Sequence, residues 1–253
     1  MSRRVLKAGF DYLLVDISNS FTKIALSTKE RISRPVRIPT RRLTSQKIRS
    51  HLRGKQVGRI VVCSVVPTKN ATIRKSAGST KILWLGPRVK LGVKIEYPNP
   101  KSIGADRLAN AAGVAKLYGY PAIVVDFGTA VTFDIISADG AYIGGVIAPG
   151  LEAMTNFLYQ RTALLPRLNL REPRSAVGRS TYDAMIAGAI YGYRGLVCEI
   201  IAQIKSEQFR RTRVKIVATG GYAQLIAARV PLIEAVHPNL TLEGLRLVAN
   251  LNS

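Results

Sequence analysis

Two stretches of the chain are near copies, and each delivers a carboxylate into a turn of small residues. Leu13-Leu14-Val15-Asp16-Ile17-Ser18-Asn19-Ser20-Phe21-Thr22 aligns with Ile123-Val124-Val125-Asp126-Phe127-Gly128-Thr129-Ala130-Val131-Thr132 at a constant offset of 110 residues. Each reads as an apolar strand ending in Asp, then a small polar turn, then a Thr that opens a returning strand. Small side chains let backbone N–H groups reach phosphate oxygens, and the carboxylate can hold a cation or its water. Two such turns facing each other suit a grip on one nucleotide from both sides. Gly128 in the second copy allows close backbone approach. The first copy carries Ser18 there instead, with a Cβ and a hydroxyl.

Two more clusters could serve phosphoryl chemistry. Gly104-Ala105-Asp106-Arg107 places a carboxylate and a guanidinium at a helix start. The carboxylate fits a general base for a substrate hydroxyl, beside an anion-binding Arg. An Asp favoured by the helix dipole and paired with Arg107 fits the same residues. Thr219-Gly220-Gly221, between a strand and a helix, leaves room for a nucleotide base or ribose. It also fits an ordinary strand-to-helix turn.

The elements that must position these residues repeat along the chain. Residues 11–17 and 22–27 read as a strand pair, and 59–66 as a buried strand stopped by Pro67. Residues 73–75 and 81–85 form a short helix–strand pattern. Residues 93–100 are extended, because Pro98 and Pro100 block a helix. A helix follows over 105–118 and ends at Gly119-Tyr120-Pro121, which marks the expected boundary between domains 1–119 and 120–253. The second half repeats the scheme. Strands are expected over 123–126, 131–136 and 141–147, helices over 151–159 and 181–204, a strand over 214–218 and a helix over 222–228. Val62-Cys63-Ser64 matches Val217-Ala218-Thr219 at an offset of 155. A duplicated run of strand pairs and helices predicts two α/β domains with a cleft between them. Ala184, Ala187, Gly188, Ala189, Gly192 and Gly195 give the 181–204 helix a small-residue stripe suited to a tight helix or subunit contact.

Composition narrows the classes. At 253 residues and 47% apolar, the chain can build two cores. No apolar run is long enough for a membrane span, and the basic start Met1–Lys7 resembles the end of a signal peptide without a following apolar core or cleavage site. These features point to a cytoplasmic protein with no membrane partner. Cys63 and Cys198 sit in apolar contexts, far apart and without metal-ligand spacing. The net charge of +23 is densest over 29–59, with a second cluster at Lys205, Arg210, Arg211, Arg213 and Lys215. Such charge suits a nucleic-acid surface, or else a basic proteome or a solvated face that also attracts anionic substrates. The second is preferred, because no recognised nucleic-acid motif accompanies the charge.

Several of these motifs occur in one order that resembles the type III pantothenate kinase family. They are Tyr97-Pro-Asn-Pro-Lys-Ser-Ile-Gly104-Ala105-Asp106-Arg107-Leu-Ala-Asn-Ala, the run Asp126 to Asp134, Gly144-Gly-Val-Ile-Ala-Pro-Gly150, Leu164-Leu-Pro166, Gly178-Arg-Ser-Thr181 and Thr219-Gly220-Gly221. The resemblance runs from about Leu13 to Leu247. It implies a duplicated actin-like fold, that of acetate and sugar kinases, Hsp70 and actin. It also implies ATP-dependent phosphorylation of pantothenate, the first step of coenzyme A synthesis. By the same resemblance Asp16, Ser18, Asn19, Ser20, Thr22 and Lys23 form the first phosphate turn, with Asp16 on Mg²⁺, and Asp106 accepts the proton of the pantothenate hydroxyl. Tyr97, Gly104, Ala105, Arg107 and Thr181 contact pantothenate. Thr129, Gly220 and Gly221 serve ATP, and Asp126 holds K⁺ or NH₄⁺. The family implies a homodimer whose substrate pocket is completed across the interface. Where the family carries Asp-x-Gly-Asn-Thr, this chain has Ser18 and Ser20 for the Gly and the Thr. Together with the charge, that change keeps two alternatives in view: a non-catalytic relative acting as a regulator or nucleic-acid-associated protein, and a kinase for another small hydroxylated acid.

Overall fold

The structure, a computed structural model, describes residues 9–253. The basic start Met1–Lys7 lies outside the described residues. In chain order the elements are β1 (Gly9–Ile17), β2 (Phe21–Ser27), β3 (Val36–Pro39), α1 (Ser45–Leu52), β4 (Gln56–Ser64), α2 (Asn70–Ala77), β5 (Lys81–Trp84), β6 (Lys94–Ile95) and α3 (Ala105–Leu117). They continue with β7 (Ala122–Phe127), β8 (Ala130–Ile136), β9 (Ala141–Pro149), α4 (Leu151–Arg161), α5 (Thr181–Gln208), β10 (Lys215–Gly220), α6 (Ala223–Ala227), β11 (Ala235–Val236) and α7 (Leu240–Leu251).

The chain divides into two units, one through Lys116 that takes back Leu240–Ser253, and one of Leu117–Asn239. A division into 1–119 and 120–253 therefore misplaces the last helix. In the first unit the sheet order is β3-β2-β1-β4-β5, with β1–β2 and β2–β3 antiparallel and β1–β4 and β4–β5 parallel. The second unit repeats it as β9-β8-β7-β10-β11, with the same two antiparallel and two parallel pairings. The duplication seen in two turns is thus a duplication of the whole sheet.

Register corrects the alignment of the copies. Ile17 pairs with Thr22 and Asp16 with Lys23, whereas Phe127 pairs with Val131 and Asp126 with Thr132. The first turn is one residue longer. The offset of 110 holds for β1 and β7 but becomes 109 in the returning strands, so Lys23, not Thr22, is the counterpart of Thr132. Likewise Asp16 lies beside Cys63 and Asp126 beside Thr219, so the β4–β10 offset is 156, not 155.

Burial explains why these strands are so apolar. In β1 every residue from Tyr12 to Ile17 is buried, because helices cover both faces of the central strand. Leu13, Val15 and Ile17 pack with Ile48 of α1 and Ile73 of α2. On the opposite side α7 lies on β1 and β4. The sequence reading left out β3, α1 and α7. Helix α1 buries only Ile48, so its apolar periodicity is one residue deep, although Thr44 accepts a capping hydrogen bond from the Lys47 N–H at 3.3 Å.

Helix α7 also packs on α3 at very short range. A Cβ on Gly244 would overlap the Ala109 carbonyl, and one on Gly113 would lie 3.0 Å from the Leu240 carbonyl oxygen. The Thr241 hydroxyl donates to Asn110 Oδ1 at 2.9 Å in the buried seam. The last helix therefore sets the position of α3, which begins with the Asp106 cluster.

In the second unit α5 supplies the core face with Ile186, Ile190, Tyr193, Val197, Ile201 and Ile204. Among the described residues it is the one helix long and apolar enough to cross a membrane by length and composition. Its buried stripe against the sheet accounts for much of that apolarity. Neither Cys63 nor Cys198 forms a disulfide.

Candidate active site

The first turn is built around Asp16, which is only 4% exposed. The Ser18 hydroxyl donates to Asp16 Oδ1 at 3.0 Å, and the Ser18 N–H donates to the Phe21 carbonyl at 3.2 Å. No non-glycine residue among the described ones has positive φ, so this turn asks for no glycine at position 18. The second copy agrees. A Cβ on Gly128 would come no closer than 3.4 Å to its neighbours, an ordinary contact. Serine thus fits the protein, and its hydroxyl orients the carboxylate. Asn19 and Ser20 are exposed at the tip, and Lys23 stands across from Asp16.

Thr22 is fully buried on the other face of β2. Its hydroxyl lies 3.1 Å from that of Thr40, which donates to the Ser18 carbonyl at 2.6 Å. The Thr40 N–H donates to the Ser20 carbonyl at 3.0 Å. Thr22 therefore braces the turn through Thr40 and presents no hydroxyl at the surface. Sequence reading missed Thr40, since it stands 18 residues away with no motif around it.

The second turn is held from two sides by glycines. A Cβ on Gly150, at the start of α4, would overlap the Thr129 carbonyl. Gly220 has φ +93°, and a Cβ there would lie 2.5 Å from Asp126 Oδ1 and 2.6 Å from the Phe127 backbone. The end of β10 can press against Asp126 only because residue 220 is glycine. Thr129 and Gly221 are exposed. Beside Asp126 in register stands Thr219, 1% exposed, with a buried hydroxyl that has no hydrogen-bond partner among the described residues. The Tyr222 hydroxyl donates to Glu152 Oε2 at 3.1 Å, and both line a cavity of about 450 Å³ with Arg167, Leu168, Asn169 and Leu170.

At the start of α3 the Arg107 N–H donates to Asp106 Oδ1 at 2.9 Å. Burial pushes the Asp106 carboxyl above its ordinary range, opposed by that N–H and by the Arg107 charge. A Cβ on Gly104 would lie 2.5 Å from Asp106 Oδ1, so the glycine leaves the carboxylate its place. Ala105 and Arg107 are half-buried, and Tyr97 is exposed.

Thr181 is exposed at the first position of α5, where Ser180 caps the helix by accepting the Asp183 N–H at 3.1 Å. The loop before it is pinned by an ion pair absent from the sequence reading. Arg194, 7% exposed, donates to both oxygens of Glu172 at 3.0 and 2.6 Å and to the Leu225 carbonyl at 2.8 Å. That contact holds the Glu172 carboxyl below its usual range. Spacing could not reveal it, because the partners lie 22 residues apart on a loop and a helix.

Among the described residues no group of three or more His, Cys, Asp or Glu forms a metal cage. One oriented carboxylate, Asp16, suits Mg²⁺, which keeps waters and shares its shell with substrate phosphates. The orphaned Thr219 hydroxyl beside Asp126 suits a larger cation that takes neutral oxygens.

Twin sheets of one topology, each ending its central strand in an Asp turn, define the class: a duplicated actin-like ATPase fold. Solved structures share this fold. A Baf family protein from Campylobacter jejuni gives a TM-score of 0.63 at 20% identity, over 95% of this chain and 98% of that one. Component A of (R)-2-hydroxyglutaryl-CoA dehydratase from Acidaminococcus fermentans gives 0.52 at 15%, over 96% of each. The family model of type III pantothenate kinase matches residues 12–203. A type III pantothenate kinase from Akkermansia muciniphila is 49% identical over 95% of this chain and 99% of the relative, and one from Methylacidiphilum infernorum is 42% identical over 94% and 88%. The chain belongs to the type III pantothenate kinase family.

Proposed function

We propose a residue-by-residue reading of the reaction: ATP-dependent phosphorylation of the primary hydroxyl of pantothenate, opening coenzyme A biosynthesis. Asp106 orients that hydroxyl and takes its proton as the γ-phosphoryl transfers in line. The observation that carries this role is a half-buried carboxylate at a helix start, given space by Gly104 and held by the Arg107 N–H. Tyr97, Gly104, Ala105, Arg107 and Thr181 bind pantothenate. Asn19, Ser20 and Lys23 receive phosphate, while Ser18, expected there too, has both donors engaged and steadies Asp16, and Thr22 keeps the turn in shape. Thr129, Gly220 and Gly221 take the nucleotide on the second turn, and the cavity beside Tyr222 has room for its nucleoside end.

Asp16, steadied by Ser18, would hold Mg²⁺, and Asp126 with Thr219 would hold K⁺ or NH₄⁺. When bound, these cations supply positive charge against the phosphate oxygens. The test is phosphorylation of pantothenate by the purified protein with Mg²⁺ and ATP, in K⁺, NH₄⁺ or Na⁺. Product in K⁺ or NH₄⁺ and little in Na⁺ supports the reading; no product in any of them sinks it.

Ser18→Ala removes the hydroxyl that orients Asp16. It is expected to raise the Mg²⁺ concentration needed for half-maximal rate by about 3- to 10-fold, the worth of one ordinary hydrogen bond. An unchanged Mg²⁺ titration would show that Ser18 does not act through Asp16.

The protein works as a cytoplasmic homodimer in this reading. Gly188, Gly192 and Gly195 are exposed on α5, and a Cβ at each meets nothing within 4 Å. Met154, Phe157 and Leu158 on the adjoining α4 and Tyr191 on α5 are exposed as well. An exposed seam of small residues edged by large apolar ones suits a second copy of the helix pair. Gly192→Arg is expected to convert the dimer to monomer in light scattering and to lower kcat/KM for pantothenate. A dimer of unchanged mass would place the interface elsewhere.

A further inference from the structure

The positive charge belongs to one unit. Through Lys116 and from Leu240 onward the chain has 26 Lys and Arg against six Asp and Glu, a net +20. The unit of Leu117–Asn239 has 12 against nine, a net +3. Residues 31–95 contain 17 Lys and Arg and no Asp or Glu. A general bias toward basic residues would load both units, and this chain loads only the first.

The fold gathers part of that charge into one layer. Helices α1 and α2 pack side by side on the same face of the first sheet. The seam is tied by Arg49 Nη1 donating to the Lys75 carbonyl at 3.3 Å and the Ser45 hydroxyl donating to the Thr72 carbonyl at 3.2 Å. Lys69 Nζ reaches the Arg41 carbonyl at 3.4 Å, bringing the segment before α1 to the same layer. Arg42, Lys47, Arg53, Arg74 and Lys75 are exposed there. Between them Thr44, Gln46, Ser50 and Thr68 are exposed as well.

We infer that the α1–α2 layer is a docking surface for the phosphate backbone of a nucleic acid. Guanidinium and ammonium groups interleaved with hydroxyl and amide donors are the groups that contact phosphate and sugar oxygens. Between Arg37 and Leu83 no large hydrophobic side chain is exposed, and a membrane-docking surface would pair its charge with apolar side chains. The inference goes beyond the kinase reading and does not rest on it. Backbone contacts carry no base code, so the binding is expected to be tolerant of sequence.

The test is fluorescence anisotropy with labelled DNA and RNA of about 20 nucleotide pairs, titrated from about 50 to 300 mM salt. The parent protein is expected to bind with a log K against log salt slope of about −4 to −6. Lys47→Glu/Arg53→Glu/Lys75→Glu spares Arg49 and Lys69, through which the layer is tied. It is expected to lower affinity about 30-fold or more and flatten the slope by about 3. Its melting curve and pantothenate phosphorylation are expected to be unchanged. Arg210→Glu/Arg211→Glu in the other unit is expected to leave binding within about twofold. No binding by the parent at low salt overturns the inference. So do equal losses in the two variants, or tighter binding to vesicles containing phosphatidylserine than to either nucleic acid.

Discussion

Asp106→Asn is expected to lower kcat by about 10²- to 10⁴-fold, the usual worth of a positioned general base, and at the same time to raise Tm. The two effects share one cause. Burial disfavours the ionised Asp106 carboxylate and lifts its pKa in the folded protein. For a carboxyl with a raised folded pKa, the stabilising contribution is complete below the unfolded pKa and is lost as pH rises through the folded one. At neutral pH the folded protein therefore carries a half-buried, partly desolvated charge that it would be more stable without. Asn keeps the shape, and its Oδ1 can still accept the Arg107 N–H, but it has no charge to bury. A Tm rise at neutral pH, shrinking toward acid, is expected from calorimetry. The parent kcat/KM is expected to fall on the acid side at a higher pH than an exposed Asp would produce, because only the ionised form can take the proton. A variant that turns over at the parental rate would remove Asp106 from the chemistry. A Tm that falls would show the carboxylate to be a structural anchor.

Gly220→Ala is expected to be the most damaging single methyl group in the second unit's site. Two independent constraints meet there. The backbone sits at φ +93°, where a side chain is strained, and the new Cβ would lie 2.5 Å from Asp126 Oδ1 and 2.6 Å from Phe127 N and C. Flexible side chains could yield to such contacts, but these neighbours are backbone and a short carboxylate on paired strands. Strain at such a position costs about 1–3 kcal/mol before the clash is counted, which corresponds to a Tm loss of about 2–12 °C. Relief of the clash must move β10 from β7, displacing Asp126 and the exposed Gly221 together. KM for ATP is therefore expected to rise about tenfold or more. Thermal melting and an ATP titration at saturating pantothenate check both. Parental values for both would show that the turn relaxes without moving Asp126.

The strands that end in Asp were legible because each is a buried apolar run with a polar end, which local pattern records. So was α3, whose alanine-rich face and terminal Gly119 are local signals. Helix α1 was not, because one buried isoleucine leaves almost no periodicity. The α7 helix is strongly amphipathic, but nothing local says that it returns to the first unit. That assignment depends on Gly244 meeting the Ala109 backbone, across more than a hundred residues. Thr40 and the Arg194–Glu172 pair were missed for the same reason.

The family, the two apolar strands that end in Asp and the total charge were readable along the chain. These are properties of residue type and short spacing. Only the tertiary structure decided that the first turn is one residue longer than the second, and that the Ser18 hydroxyl reaches back to Asp16. It also decided that Thr22 is a brace, and that the excess charge lies on one unit, part of it in one helix layer. Each of these follows from strand pairing and from close contacts between distant segments. Such contacts are fixed by the packing of whole elements, which no window along the chain contains.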